Sequence, residues 1–166
     1  MVLYVIEREP VACALVRGIY YTLDSRGMVL EEYTDTSRLD GLICVDKLTV
    51  KSCVVGQHIQ LDKQETMDAY LQLMLEIKAM NLQWLIKEIY LDQMDDISLD
   101  TTDGYYVRMG DATYLHGKLR AMTATRDELL KRGLWGGVID VSVRDKPTYT
   151  PPVDDKEFSW SATQAD

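Results

Sequence analysis

The chain has 166 residues, 46% of them hydrophobic and 27% charged, which suits one globular domain with a real core rather than a disordered segment. Its formal charge of −9 argues against a nucleic acid or an anionic membrane surface as the main partner, because both are bound through basic patches. Cys13, Cys44 and Cys53 form an odd set without a CxxC, and His58 and His116 are the two histidines, so no zinc-ligand cluster is spelled out and no cofactor is expected.

"VLYVIE" at 2–7 reads as a strand that Pro10 ends. "MVLYVIEREP" has no small-residue cleavage site, and no apolar run approaches the ~18–20 residues of a membrane span. "VACALV" at 11–16, "IYYTL" at 19–23 and "MVLEEY" at 28–33 form a meander of antiparallel strands, with Gly18 and the type I turn "DSRG" at 24–27 between them. "LICVD" and "LTVKSCVV" are short strands punctuated by Gly41 and Gly56.

Asp62 and Glu65 have the spacing of a helix-capping box. Met67, Tyr70, Leu71, Met74 and Ile77 then recur at helical steps, so the spacing predicts a helix over 63–80 stopped at Asn81, with its methionines in core packing. "LIKEIYL" at 85–91 alternates as a strand, and "ISL" at 97–99 pairs with "YYVRM" at 105–109 across "DTTDG". Gly110 with Asp111 or Thr113 reads as strand exit and helix cap. A second helix is predicted over 113–132, with Gly117 at a bend or close approach and Gly133 as its end. "VIDVSV" at 138–143 is the last strand, and residues 147–166, rich in proline and acid, read as a mobile tail after a domain of residues 1–146. The fold class is α+β: a mostly antiparallel sheet of about ten short strands with two helices packed on it.

Chemistry is not visible in this pattern. Gly104 and Gly110 are separated by bulky residues and lack the lysine of a phosphate loop, so they are backbone punctuation. Neither histidine sits in a nucleophile–base context. Asp92, Asp95 and Asp96 lack the alternating pattern of a calcium loop. Each cysteine reads as a small half-buried hydrophobe with a free thiol, a Cys44–Cys53 hairpin bridge being the minor alternative. The residues alone describe an interaction domain.

The order of three segments adds to this. "VLYVIEREPVACALVRGIYYTLDSRGMVLEE", "IKEIYLDQMDDISLDTTDGYYVRMGDATYLHGKLRAM" and "GGVIDVSVRDKPTY" resemble, in order and over about residues 2–145, the extracytoplasmic β domain of the FtsQ/DivIB bacterial cell-division proteins. In that family a cytoplasmic tail, one transmembrane helix and a POTRA domain come first. The resemblance covers none of them, so the chain is expected to be an excised fragment whose full-length protein is anchored in the cytoplasmic membrane.

The resemblance implies a non-enzymatic divisome scaffold at the septum, outside the membrane, that binds FtsB/DivIC-like and FtsL-like bitopic partners and helps control septal wall synthesis. It also implies where. Ile139, Asp140 and Val141 match the family's closing motif, and the final strand receives the partner in the better-known members. Val138, Ile139, Asp140, Val141, Ser142, Val143 and Arg144 are therefore the expected partner-binding residues, as an edge strand open to β-augmentation. Ser142 stands where many members have Arg, and Met94–Asp95 roughly where proteobacterial members carry basic residues, so their ion pairs do not carry over. The alternatives from other classes are a wall-associated enzyme or ligand binder with an unrecognised pocket, and a POTRA-adjacent secretion adaptor.

Overall fold

Short β-forming segments cut by left-handed glycine turns give eleven strands and two helices among residues 7–153, which the computed structural model describes. The strand expected over 2–7 falls outside these residues, apart from Glu7. The elements are β1 (Ala12–Val16), β2 (Ile19–Leu23), β3 (Val29–Tyr33), β4 (Ile43–Asp46), β5 (Val50–Ser52), β6 (Gln60–Leu61), α1 (Gln64–Ala79), β7 (Ile86–Tyr90), β8 (Ile97–Thr101), β9 (Tyr105–Gly110), α2 (Leu115–Lys131), β10 (Gly137–Asp140) and β11 (Thr148–Thr150). Nine of the strands make one sheet in the order β11-β10-β9-β8-β7-β4-β1-β2-β3, and β5 pairs with β6 apart from it.

The expected turns are where the chain reverses. Gly27 N–H donates to the Asp24 carbonyl at 3.0 Å, and the Asp24 carboxylate accepts from the N–H groups of Arg26 and Met28. β8 and β9 pair as the expected hairpin, with Gly104 in their turn at φ 97°.

The sheet is mixed rather than mostly antiparallel. β1 with β4, β4 with β7 and β9 with β10 run parallel. The cause is connectivity. α1 lies on the path from β4 to β7, and α2 connects β9 directly to β10. A long crossover carries the chain back to its starting end, so the next strand enters parallel.

Alternation sorts the strands' side chains onto two faces. Ala12, Ala14, Ile43, Val45, Ile89, Leu99, Val107 and Ile139 are each at most 1% exposed and form one core with both helices. Cys13, Cys44, Glu88, Asp100, Tyr106 and Val138 alternate with them, on the opposite face. α1 buries Tyr70, Leu73, Met74 and Ile77, so its methionine stripe is core. α2 buries Leu115, Lys118, Leu119, Met122 and Leu129.

Helix ends follow the predicted stops but not the predicted starts. Asn81 turns left-handed at φ 54°, and its N–H donates to the Lys78 carbonyl. Gly133, at φ 69°, closes α2 on the Leu130 carbonyl. The Asp62–Glu65 capping box does not form: Lys63 is the N-cap, without a side-chain cap bond. At α2 the N-cap is Tyr114, left-handed at φ 52°. Asp111 and Thr113 instead close a turn just upstream, with Thr113 N–H 3.1 Å from Asp111 Oδ1.

A candidate partner-binding edge

β10 begins at Gly137, a glycine that the packing requires. A Cβ on Gly137 would collide with the Thr150 carbonyl and lie 3.0 Å from the Tyr149 ring. The strand then runs between two neighbours. Gly137, Val138, Ile139 and Asp140 pair in parallel with Tyr105, Tyr106, Val107 and Arg108. Val138, Ile139 and Asp140 pair antiparallel with Thr150, Tyr149 and Thr148.

One hydrogen bond orients this ladder. Val141 N–H donates to the Arg108 carbonyl at 2.9 Å. Backbone polar groups alternate sides along a strand, so Ile139, like Val141, faces β9, while Val138 and Asp140 face β11. Thr148 and Thr150 therefore pair inward, and the N–H and C=O of Tyr149 point away from the sheet. Pro147 and Pro151 continue the same alternation on either side, and neither has an N–H. The outer edge of β11 thus offers the Tyr149 N–H donor, framed by two prolines, together with its carbonyl. Tyr149 is held in register by its own hydroxyl, which donates to the Gly136 carbonyl at 3.0 Å.

This placement corrects the expected edge strand over 138–144. Val138, Ile139 and Asp140 lie in an interior strand, covered on their outer side by β11. Val141 is buried and its N–H is spent on β9. Ser142 folds back on Asp140, its N–H 2.9 Å and its hydroxyl 2.6 Å from Asp140 Oδ1. Val143 is exposed, and Arg144 leaves the sheet to set its guanidinium 4.2 Å from the centre of the Tyr114 ring. The seven residues do not make one surface. The physical reason is the reversal at 140–147: the Asp140–Ser142 turn and the left-handed Asp145, at φ 59°, return the chain along β10.

The domain boundary moves with it. Thr148–Thr150, expected in the tail, belongs to the sheet, and residues 154–166 of that tail lie outside the described ones. The missed signal was local: Arg-Asp-Lys-Pro is a turn, and Thr-Tyr-Thr is strand-forming. The flanking prolines, read as tail, fit an edge strand equally well.

Gly110 serves this region. A Cβ there would lie 2.9 Å from Ser142 Cβ and 3.3 Å from its Cα, so the close pass of the 140–142 turn over the end of β9 requires glycine. Charge is paired off around the turn. Burial raises the Asp140 carboxyl, but the Ser142 hydroxyl and N–H, with the Arg108 guanidinium, outweigh it and hold the group below its ordinary range. Arg108 also reaches Asp96 at 3.0 Å.

The other candidate residues do not converge. Asp96 pairs with Arg108, whereas Asp92 lies 4.0 Å from Lys47 on β4's exit. Among the described residues no group of three or more His, Cys, Asp or Glu is arranged to hold a metal ion. His116 Nδ1 sits 2.8 Å from Glu76 Oε2, pinning α2 to α1, and His58 forms an isolated bridge with Met28. Surface depressions of about 580 Å³ beside Tyr33 and Cys53, and about 590 Å³ beside Tyr114 and Arg120, both open broadly to solvent. Among the described residues no helix is long and apolar enough to cross a membrane.

No protein-family model matches the chain, and no curated protein is significantly similar to it.

Proposed function

We propose that this chain is a non-enzymatic interaction domain of the FtsQ/DivIB kind, which takes a strand of an FtsB/DivIC-like partner along the outer edge of β11. In this reading it acts outside the cytoplasmic membrane at the division septum, with an FtsL-like protein in the same complex, and helps control septal wall synthesis. The observation that carries it is the outward-pointing N–H and C=O of Tyr149 on the terminal strand of the large sheet. Ile139, Asp140 and Val141, which match the family's closing motif, position that edge from beneath and do not form it.

β-Augmentation draws affinity from main-chain bonds and specificity from alternate side chains. With prolines on both sides, the pairing centres on Tyr149, and the partner's other donors reach the carbonyls of Pro147 and Pro151. The test is calorimetric titration with the extracytoplasmic segment of the FtsB/DivIC-like protein of the same organism. Tyr149→Pro removes the outward donor without touching a bond of the domain's own ladder, and should weaken binding at least about tenfold, the effect of losing ~1.4 kcal/mol. Tyr149→Ala keeps the N–H and should cost less. Circular dichroism checks the fold of both. If Tyr149→Pro stays folded and binds as the parent does, the partner does not use this edge.

A further inference from the structure

We propose that Cys13 and Cys44 form a reversible dithiol–disulfide site that staples β1 to β4. This stands independently of the function proposed above. The two residues are direct register partners on adjacent parallel strands. Ala12, Ala14, Ile43 and Val45 beside them point into the core, so both sulfurs lie on the opposite face of the sheet. Neighbouring strands run about 4.8 Å apart, within the ~4.4–6.8 Å between Cα atoms that a disulfide spans. Both thiols are free in the structure.

The two cysteines differ in access and in acidity, and access sets which one meets a reagent first. Cys13 is 4% exposed, whereas Cys44 is half-buried and open to a reagent. A hydrogen bond from the Cys44 thiol holds Cys13 below the ordinary thiol range, against its burial and the charge of Glu88. The same bond, with burial, pushes Cys44 up. Cys53 lies on a different segment and is pushed up to about 11 by burial, with Glu32 adding to it.

The step needs an external disulfide as oxidant. Cys44 reacts first because it is the accessible thiol: it gives up its proton and attacks the oxidant, forming a mixed disulfide and releasing one thiol. The Cys13 thiolate then attacks the Cys44 sulfur and expels the second thiol. The two cysteines lose two protons and two electrons, and the external disulfide takes up both as two thiols. The bond closes across the sheet's narrowest seam. β1 and β4 share the two register pairs Ala12–Ile43 and Cys13–Cys44, and that ladder is what joins the β1–β2–β3 meander to the rest of the sheet.

The experiment is incubation of the folded protein with oxidised glutathione, alkylation of the remaining thiols, and peptide mass mapping. The expected product has lost two hydrogens, carries one alkyl group, on Cys53, and contains a Cys13–Cys44 cross-linked peptide that dithiothreitol dissolves. Cys13→Ser should stop at a glutathione adduct on Cys44, and Cys53→Ser should oxidise as the parent does. Three alkylated cysteines after oxidation, a glutathione adduct on parent Cys44 that never resolves, or a bridge that contains Cys53 would each overturn the assignment.

Discussion

Lys118 Nζ lies 2.7 Å from Asp111 Oδ1 and 2.9 Å from the Asp111 carbonyl oxygen, tying the first turns of α2 to the exit of β9. The lysine side chain is 4% exposed and the aspartate 56%, so the pair reaches from the core rim into solvent. Lys118, with help from the Thr113 hydroxyl and N–H, holds the Asp111 carboxyl at about 2. An unfolded aspartate titrates near 3.9. The folded value is depressed, so the contribution is fully present above about pH 4 and is lost as pH falls through about 2. Lys118→Met keeps the buried stem and removes the charge. Because Asp111 is exposed, the change should cost no more than about 1 kcal/mol near neutrality. Urea unfolding of both proteins should show that gap closing as pH falls toward about 2. A gap that stays constant would mean the pair does not set it.

Val141→Pro should behave differently from Tyr149→Pro. The Val141 N–H is bonded to the Arg108 carbonyl, and the residue is 2% exposed. Proline there removes a ladder bond between β9 and the end of β10, leaves the Arg108 carbonyl without that donor, and should cost about 1–3 kcal/mol. Denaturant midpoints decide it. An unchanged midpoint for Val141→Pro would contradict the alternation that turns Tyr149 outward.

Gly117→Ala should destabilise the protein, although alanine is the better helix former by about 1 kcal/mol. A Cβ on Gly117 would collide with the Tyr114 ring. That ring is held in place by the left-handed N-cap and by the Arg144 guanidinium above it. Removing the ring in Tyr114→Ala should reverse the sign, so that Gly117→Ala becomes stabilising in that background. A double-mutant cycle by thermal unfolding measures the coupling, and additivity would show that the ring yields freely.

The same residues show what the sequence could and could not reveal. Both helices were legible to within two residues of their ends, because Tyr70, Met74 and Ile77, and Leu115, Leu119 and Met122, repeat at the helical period over long windows. The β8–β9 hairpin was legible because Asp103–Gly104 is a local turn signal. The parallel pairings were not, since the strand that lies beside β4 is decided by crossovers of many residues and by no nearby side chain. For that reason Cys13 and Cys44, 31 positions apart, were read separately although the sheet sets them side by side. The caps failed where tertiary contact overrides local preference: Tyr114 takes a conformation costly for a bulky residue, with Arg144 stacked on its ring. The expected sheet edge was displaced by one strand, because β11 is three residues long between prolines and carries too little pattern to stand out from a tail.

Thr22→Val should stabilise the domain. Thr22 is 2% exposed on β2, between Cys13 on one side and Glu31 on the other. Among the described residues its hydroxyl oxygen has no hydrogen-bond partner. A buried hydroxyl left unpaired costs about 1–3 kcal/mol of lost hydration, and valine keeps the shape and the strand preference. A gain of about 1 kcal/mol is therefore expected for Thr22→Val. Thr22→Ser keeps the orphan hydroxyl and deletes a buried methyl, and should lose about 1 kcal/mol. Urea unfolding of the three proteins with the cysteines reduced supplies the comparison. If Thr22→Val is instead destabilising, the hydroxyl has found an acceptor. Its register neighbour, the Cys13 sulfur, is then the group to test, by repeating the substitution in a Cys13→Ala background.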